Sequence, residues 1–223
     1  MSTTLARAHE FVEFLLSSQV LAFGDFETKS GRRTPYFMNF ARFSRGREVE
    51  RLGSFYAHAI RARMGDEFDV LFGPAYKGIP LVVATALAFA HEHGRDVPFC
   101  FNRKEAKDHG EGGRLVGHPL RDGERVLIVE DVTTAGTSVR ETVPLLRSAA
   151  RVELAGLVVA VDRQERGTGE ASALTELARE FQMPCFSIAT IDELVAALAQ
   201  DRGRLTPELL GRIRDYRARY GGK

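Results

Sequence analysis

Val126-Leu127-Ile128-Val129-Glu130-Asp131-Val132-Thr133-Thr134-Ala135-Gly136-Thr137-Ser138 is the stretch on which the reading of this chain turns. Four apolar residues suited to a strand run into two carboxylates, and a small, hydroxyl-rich loop then leads into a helical pattern. A loop at the carboxyl end of a parallel strand presents backbone N–H groups and hydroxyls beside the next helix's N-terminus, which favours a phosphate. Gly136 lets the backbone approach closely. Adjacent carboxylates are costly in an apolar setting unless they serve cations or hydroxyl donors, so Glu130 and Asp131 are expected to face a sugar diol or magnesium. An acidic pair before a helix is usually only a solvated cap. The full order of strand, acid pair and Thr-Thr-Ala-Gly-Thr-Ser is far more specific.

The same alternation extends on both sides. Short apolar runs at Val70–Phe72, Val97–Phe101, Arg125–Val129, Leu154–Val161 and Cys185–Ile188 predict about five strands, mainly parallel. Helical spacing at Ile79–His91, Ser138–Ala149, Ala171–Phe181 and Ile191–Gln200 predicts the helices that flank the sheet on both faces. Pro144 is expected to kink the second of these unless that helix starts late. A last helix over Pro207–Tyr220 has Thr206 as its N-cap and Pro207 in its first position. Residues 1–66 carry two amphipathic helices, Thr3–Ser18 and about Arg47–Met64, around a stretch of short strands within Phe23–Phe43, and read as a small hood on the α/β core of residues 67–223. No linker or repeat divides the chain, so one domain is expected.

Composition sets bounds on function. With 31 basic and 30 acidic residues in 223, net positive charge is too small to argue for nucleic-acid binding, and any anion site must be local. No apolar run approaches the roughly 20 residues of a membrane span, and the polar N-terminus lacks a signal-peptide core, so a cytoplasmic protein is expected. Cys100 and Cys185 stand apart and outside any metal-ligand spacing, as buried, reduced thiols. His91 and His93 flank Glu92 near a helix end and read as a solvated polar turn.

The central stretch resembles the phosphoribosyl-pyrophosphate signature of type I phosphoribosyltransferases, in which the acidic pair meets the ribose hydroxyls and the loop holds the 5-phosphate. Four further segments are similar to the orotate phosphoribosyltransferases of that family: residues 29–37 (KSGRRTPYF), 73–78 (GPAYKG), 101–110 (FNRKEAKDHG) and 162–167 (DRQERG). The resemblance covers nearly the whole chain. It departs in one place, with Glu-Asp where many bacterial relatives have Asp-Asp, and two carboxylates are kept.

The resemblance implies a type I phosphoribosyltransferase fold with a flexible catalytic loop, a transfer of the phosphoribosyl group to orotate, a homodimer that shares that loop across subunits, and Mg2+ held mainly through the substrate and water. Residues 103–117, rich in charge and glycine, read as a surface loop in which Arg103, Lys104, Lys107 and His109 would close over pyrophosphate. By similarity Lys107 is its main catalytic cation, with His109 and Asp131 also in the catalytic set. The turn that carries Tyr76 and Lys77 suits pyrophosphate oxygens. Lys29 suits the orotate carboxylate, while Tyr36 and Phe37 offer a flat apolar surface. By similarity Arg163 and Thr134 are orotate ligands. Two alternatives stay open: a phosphoribosyltransferase for another base, and a non-catalytic regulator that senses phosphoribosyl pyrophosphate.

Overall fold

The computed structural model of the chain describes residues 3–27, 33–107, 113–200 and 205–222. Helix α1 (Thr3–Ser17) leads into an antiparallel pair, β1 (Leu21–Glu27) and β2 (Arg33–Met38), which forms a two-stranded sheet of its own. Helix α2 (Gly46–Met64) follows, its start held by Glu48, whose carboxylate accepts from the amides of Ser44 and Arg45 at 3.2 Å each. The rest is a doubly wound array: β3 (Val70–Gly73), α3 (Gly78–His93), β4 (Phe99–Lys107), β5 (Gly113–Gly117), β6 (Arg125–Glu130), α4 (Thr137–Ala149), β7 (Glu153–Asp162), α5 (Ala173–Phe181), β8 (Cys185–Thr190), α6 (Ile191–Gln200) and α7 (Pro207–Tyr220).

The main sheet has six strands in the order β5-β4-β3-β6-β7-β8, all parallel except β5. The strand absent from the sequence reading is β5. Residues 103–117 were expected as a loop, but Arg103–Lys107 prolong β4 and Gly113–Gly117 return beside it, with Asn102 opposite Leu115 and Lys107 opposite Gly113. Polar residues suffice there because an antiparallel edge needs backbone hydrogen bonds and little burial.

Inner strands alternate their side chains between two apolar layers. In β6, Leu127 and Val129 join the layer that also takes α2, α3 and α6, whereas Val126 and Ile128 pack with Val139, Val143 and Leu146 of α4 and with Leu174 and Leu177 of α5. All four strand residues are fully buried, and each contributes about 1.5–3 kcal/mol on that account. Helix α4 starts at Thr137, not late, and runs on through Pro144. Pro144 has no N–H to offer, and one bond is forgone. Helix α7 begins as expected, with Thr206 Oγ1 accepting from the Leu209 amide at 3.2 Å and Pro207 in the first turn.

From β3 the chain moves outward to β4, then returns to the other side of β3 to form β6. Strand order therefore reverses between β3 and β6, and the loops after these two strands diverge to leave a crevice at their carboxyl ends, where open α/β sheets bind ligands.

Candidate active site

Both walls of that crevice are the segments singled out in the sequence. A cleft of about 570 Å³ is bounded by the Pro74–Lys77 turn on one side and by Glu130, Asp131, Val132 and Ser138 on the other, with Lys104 and Arg114 of the β4–β5 ribbon over it. A larger pocket of about 780 Å³ between α2, α5 and β8 contains none of the residues expected to carry chemistry.

The turn is tight because two glycines make it so. A Cβ on Gly73 would lie 2.2 Å from the Gly78 carbonyl oxygen, and one on Gly78 would lie 2.8 Å from the Gly73 carbonyl carbon. The turn contains a cis peptide between Ala75 and Tyr76. Asn102 of β4 fixes it from the side, its Oδ1 accepting from the Ala75 amide at 2.8 Å. Tyr76 and Lys77 are left exposed, and Lys104 Nζ stands 5.5 Å from the centre of the Tyr76 ring.

Across the cleft the carboxylates are buried, with Glu130 at 7% and Asp131 at 2% exposure. Each has a partner. The Lys77 ammonium pairs with Asp131 Oδ2, and Ser138 Oγ donates to Glu130 Oε2 at 2.8 Å. The strand end is pinned through its backbone: the Tyr56 hydroxyl donates to the Glu130 carbonyl at 2.6 Å, and the Ala160 amide donates to the Asp131 carbonyl at 2.8 Å. Burial, and then the negative charge of Asp131 beside it, hold the Glu130 carboxyl well above the usual carboxylate range.

In the loop that follows, Thr133 is half-buried and Thr134, Ala135 and Thr137 are exposed, while Gly136 is buried with φ 74°. That backbone suits glycine, and a Cβ there would also meet Leu177 at 2.9 Å. Gly136 caps α4 without a side-chain hydrogen bond, so no capping side chain blocks the first amides of the helix. Arg140 holds the loop from behind, donating to the Ala135 carbonyl and, through Nε, to Glu180 at 2.8 Å. Glu176 lies 3.8 Å from the same guanidinium and also accepts from the Thr168 amide at 3.0 Å and the Gly169 amide at 2.6 Å.

Arg163 does not line this cleft. It is buried at the end of β7, where Nε and Nη2 donate to Glu165 Oε1 at 3.0 and 2.7 Å, and its guanidinium stands 5.3 Å from the Tyr36 ring centre. The Tyr36 hydroxyl donates to the same Glu165 oxygen at 2.9 Å. Burial, then the Glu165 charge, push the Tyr36 hydroxyl far above its ordinary value. Tyr36 and Phe37 thus do not form one flat surface: alternation along β2 buries Tyr36 entirely and leaves Phe37 40% exposed against Phe26. Arg217 of α7 donates to the Arg163 and Gln164 carbonyls at 3.0 and 3.1 Å and fixes the segment from the far side.

Lys29 and His109 lie outside the described residues, and Lys107 ends β4. The sequence reading missed Glu165, Tyr56, Arg140 and Glu176. Glu165 falls inside a quoted motif, yet two residues from an arginine it reads as an exposed partner; the other three act from different elements, and only packing joins them to the site. Cys100 and Cys185 are free, and burial pushes each thiol up to about 12.

The family model for the phosphoribosyl transferase domain matches residues 42–178. The orotate phosphoribosyltransferase of Clostridium beijerinckii is 50% identical over 218 residues, covering 96% of this chain and 97% of its own. The chain belongs to the orotate phosphoribosyltransferase family. The relative of that name from Vibrio vulnificus (strain YJ016) is 52% identical over 216 residues, 97% of this chain and 99% of its own. The crystal structure of the Francisella tularensis orotate phosphoribosyltransferase superposes with a TM-score of 0.85 at 34% identity, covering 96% of this chain and all of that one. As in the family, an α/β core with a mostly parallel sheet carries the cleft.

Proposed function

We propose that this member of the family transfers the 5-phosphoribosyl group of phosphoribosyl pyrophosphate to orotate, giving orotidine 5'-monophosphate and pyrophosphate in pyrimidine synthesis, with its own residues in the following roles. The observation that carries the reading is the buried carboxylate pair set beside an unblocked helix N-terminus and facing the Lys77 turn. The loop from Val132 to Ser138 holds the 5-phosphate through amides and hydroxyls, and Glu130 and Asp131 accept hydrogen bonds from the ribose diol. Lys77, Tyr76, Arg103 and Lys104 meet the pyrophosphate, joined by Lys107 and His109 when the ribbon closes.

Positive charge develops at the anomeric carbon as its bond to the pyrophosphate oxygen breaks and a bond to an orotate nitrogen forms. Negative charge accumulates on the leaving group, where the cations are most useful. The acid pair, an oxygen donor set already engaged by Lys77 and Ser138, fits a magnesium ion bound chiefly by substrate and water and only partly by protein. When bound, the ion would neutralise pyrophosphate charge. Arg163, with Thr134 and Lys29, recognises the orotate carboxylate.

A homodimer, with Lys107 of one subunit serving its partner's cleft, completes the reading. An exposed groove of about 650 Å³ between α2 and α3, where Leu87 is 55% exposed, supports a partner surface. No described helix is long and apolar enough to cross a membrane, and we place the enzyme in the cytoplasm.

A pyrophosphate-release assay with a panel of bases tests the acceptor. Orotate is expected to exceed uracil and hypoxanthine by at least 100-fold in kcat/KM, since of the three bases only orotate carries a carboxylate for Arg163 and Lys29 to meet. Comparable rates with uracil would remove the carboxylate from the account. Pyrophosphate release with none of the bases, alongside tight binding of the sugar donor, would favour a sensor.

Glu130 gives a pH dependence of known sign. Its folded pKa is raised, so folding stability falls as pH climbs from the ordinary carboxylate range through that raised value. Ribose hydroxyls favour the ionised form, so donor binding below the raised value expels a proton. KM for phosphoribosyl pyrophosphate is therefore expected to rise on acidification more steeply in the wild type than in Glu130→Gln. Parallel profiles for the two proteins would show that Glu130 does not titrate against the donor.

A further inference from the structure

Outside the cleft, His58 of α2 and Glu92 and His93 of α3 bring one ligand atom each to within 4.8 Å of one another. We propose that these three side chains bind one divalent transition-metal ion of the zinc class, with water in the fourth position. This assignment is independent of the phosphoribosyl site.

The donor set is two imidazoles and a carboxylate, a combination that zinc and its neighbours take and magnesium does not seek. In a tetrahedral site with bonds of about 2.0–2.1 Å, neighbouring donor atoms stand about 3.3 Å apart. His58 Nδ1 and Glu92 Oε2 are already 3.4 Å apart. His93 Nε2 is shielded from solvent and has no hydrogen-bond partner, which leaves a buried lone pair or N–H unsatisfied. A cation beside it would remove that cost.

The surroundings hold the ligands in place. Ser54 Oγ donates to Glu92 Oε2 at 3.0 Å and orients the carboxylate, as outer partners of metal ligands do. Phe89 packs 5.4 Å from the His93 ring, and the two imidazoles meet edge to face at 5.2 Å between ring centres. His58 Nδ1 is also 2.9 Å from the Ser54 carbonyl. Ligation through Nδ1, the atom already set against Glu92, exchanges that contact for the metal. The ion then ties α2 to the carboxyl-terminal end of α3, whose other end begins at the Pro74–Lys77 turn. Read along the sequence, Glu92 and His93 are only a polar helix end, because the third ligand comes from the preceding helix.

The test uses full-length protein stripped of metal and titrated with zinc against a chromophoric chelator. One zinc per chain is expected, with at least 10-fold weaker binding in His58→Ala and His93→Ala and none in the double variant. His91→Ala and the active-site pair Glu130→Gln/Asp131→Asn are expected to retain it, which separates this site from the catalytic cleft. Glu92→Gln should weaken zinc while leaving the melting temperature of the metal-free protein unchanged, so that a loss of binding is not mistaken for a loss of fold. Cobalt(II) should give the intense visible bands of a tetrahedral site, absent from the double variant. No zinc uptake by the wild type, or uptake that survives in the double variant, overturns the proposal.

Discussion

Alanine in place of Lys107 is expected to lower kcat about 100- to 1000-fold, the usual cost of removing one preorganised donor from a developing negative charge. KM for either substrate should change far less, because the charge on the leaving oxygen grows mainly in the transition state. The expectation follows from the position of Lys107 at the end of β4, on a ribbon that already places Lys104 and Arg114 over the cleft. Pyrophosphate release at saturating substrates measures it. A kcat near that of the wild type would assign leaving-group stabilisation to Lys77, Arg103 and Lys104 alone.

The largest effect on the fold is expected from Glu165→Ala. Glu165 and Arg163 have side chains only 9% and 10% exposed, so water screens their attraction little. Removing the carboxylate leaves a buried guanidinium without its partner and Tyr36 without its acceptor, a loss on the order of 3–5 kcal/mol. Urea unfolding should show it as a lower midpoint at unchanged slope. Arg163 would also lose its fixed orientation, so KM for orotate should rise while KM for the sugar donor holds. Glu165→Gln retains an acceptor for the Tyr36 hydroxyl and should lose less. Stability of Glu165→Ala within about 1 kcal/mol of the wild type, below the buried-pair range, would mean that solvent reaches the pair.

How much of this was legible in the sequence depends on whether a residue speaks through its neighbours in the chain. The run from Val126 to Ser138 did so: its strand, acid pair and loop lie where its order places them, and the strand reversal between β3 and β6 sets the Pro74–Lys77 turn opposite. The β4–β5 ribbon was illegible because its stability comes from backbone pairing at an edge, which leaves no apolar alternation to read. Tyr36 was read as a ligand surface on the resemblance alone, whereas the partner of its buried hydroxyl, Glu165, lies far away in sequence. Tyr56 and Arg140 were silent for the same reason. A hydroxyl that donates to a backbone carbonyl of β6 and a guanidinium that braces a loop look ordinary until the helices carrying them are packed.

Glu176 reaches two loops at once, gripping the Thr168–Gly169 segment that trails Arg163 while standing against the arginine that props Ala135. One carboxylate is thus a common abutment for the loop proposed to cradle the sugar donor and for the segment that follows Arg163. Displacement of either segment would therefore strain the contacts that Glu176 makes with the other.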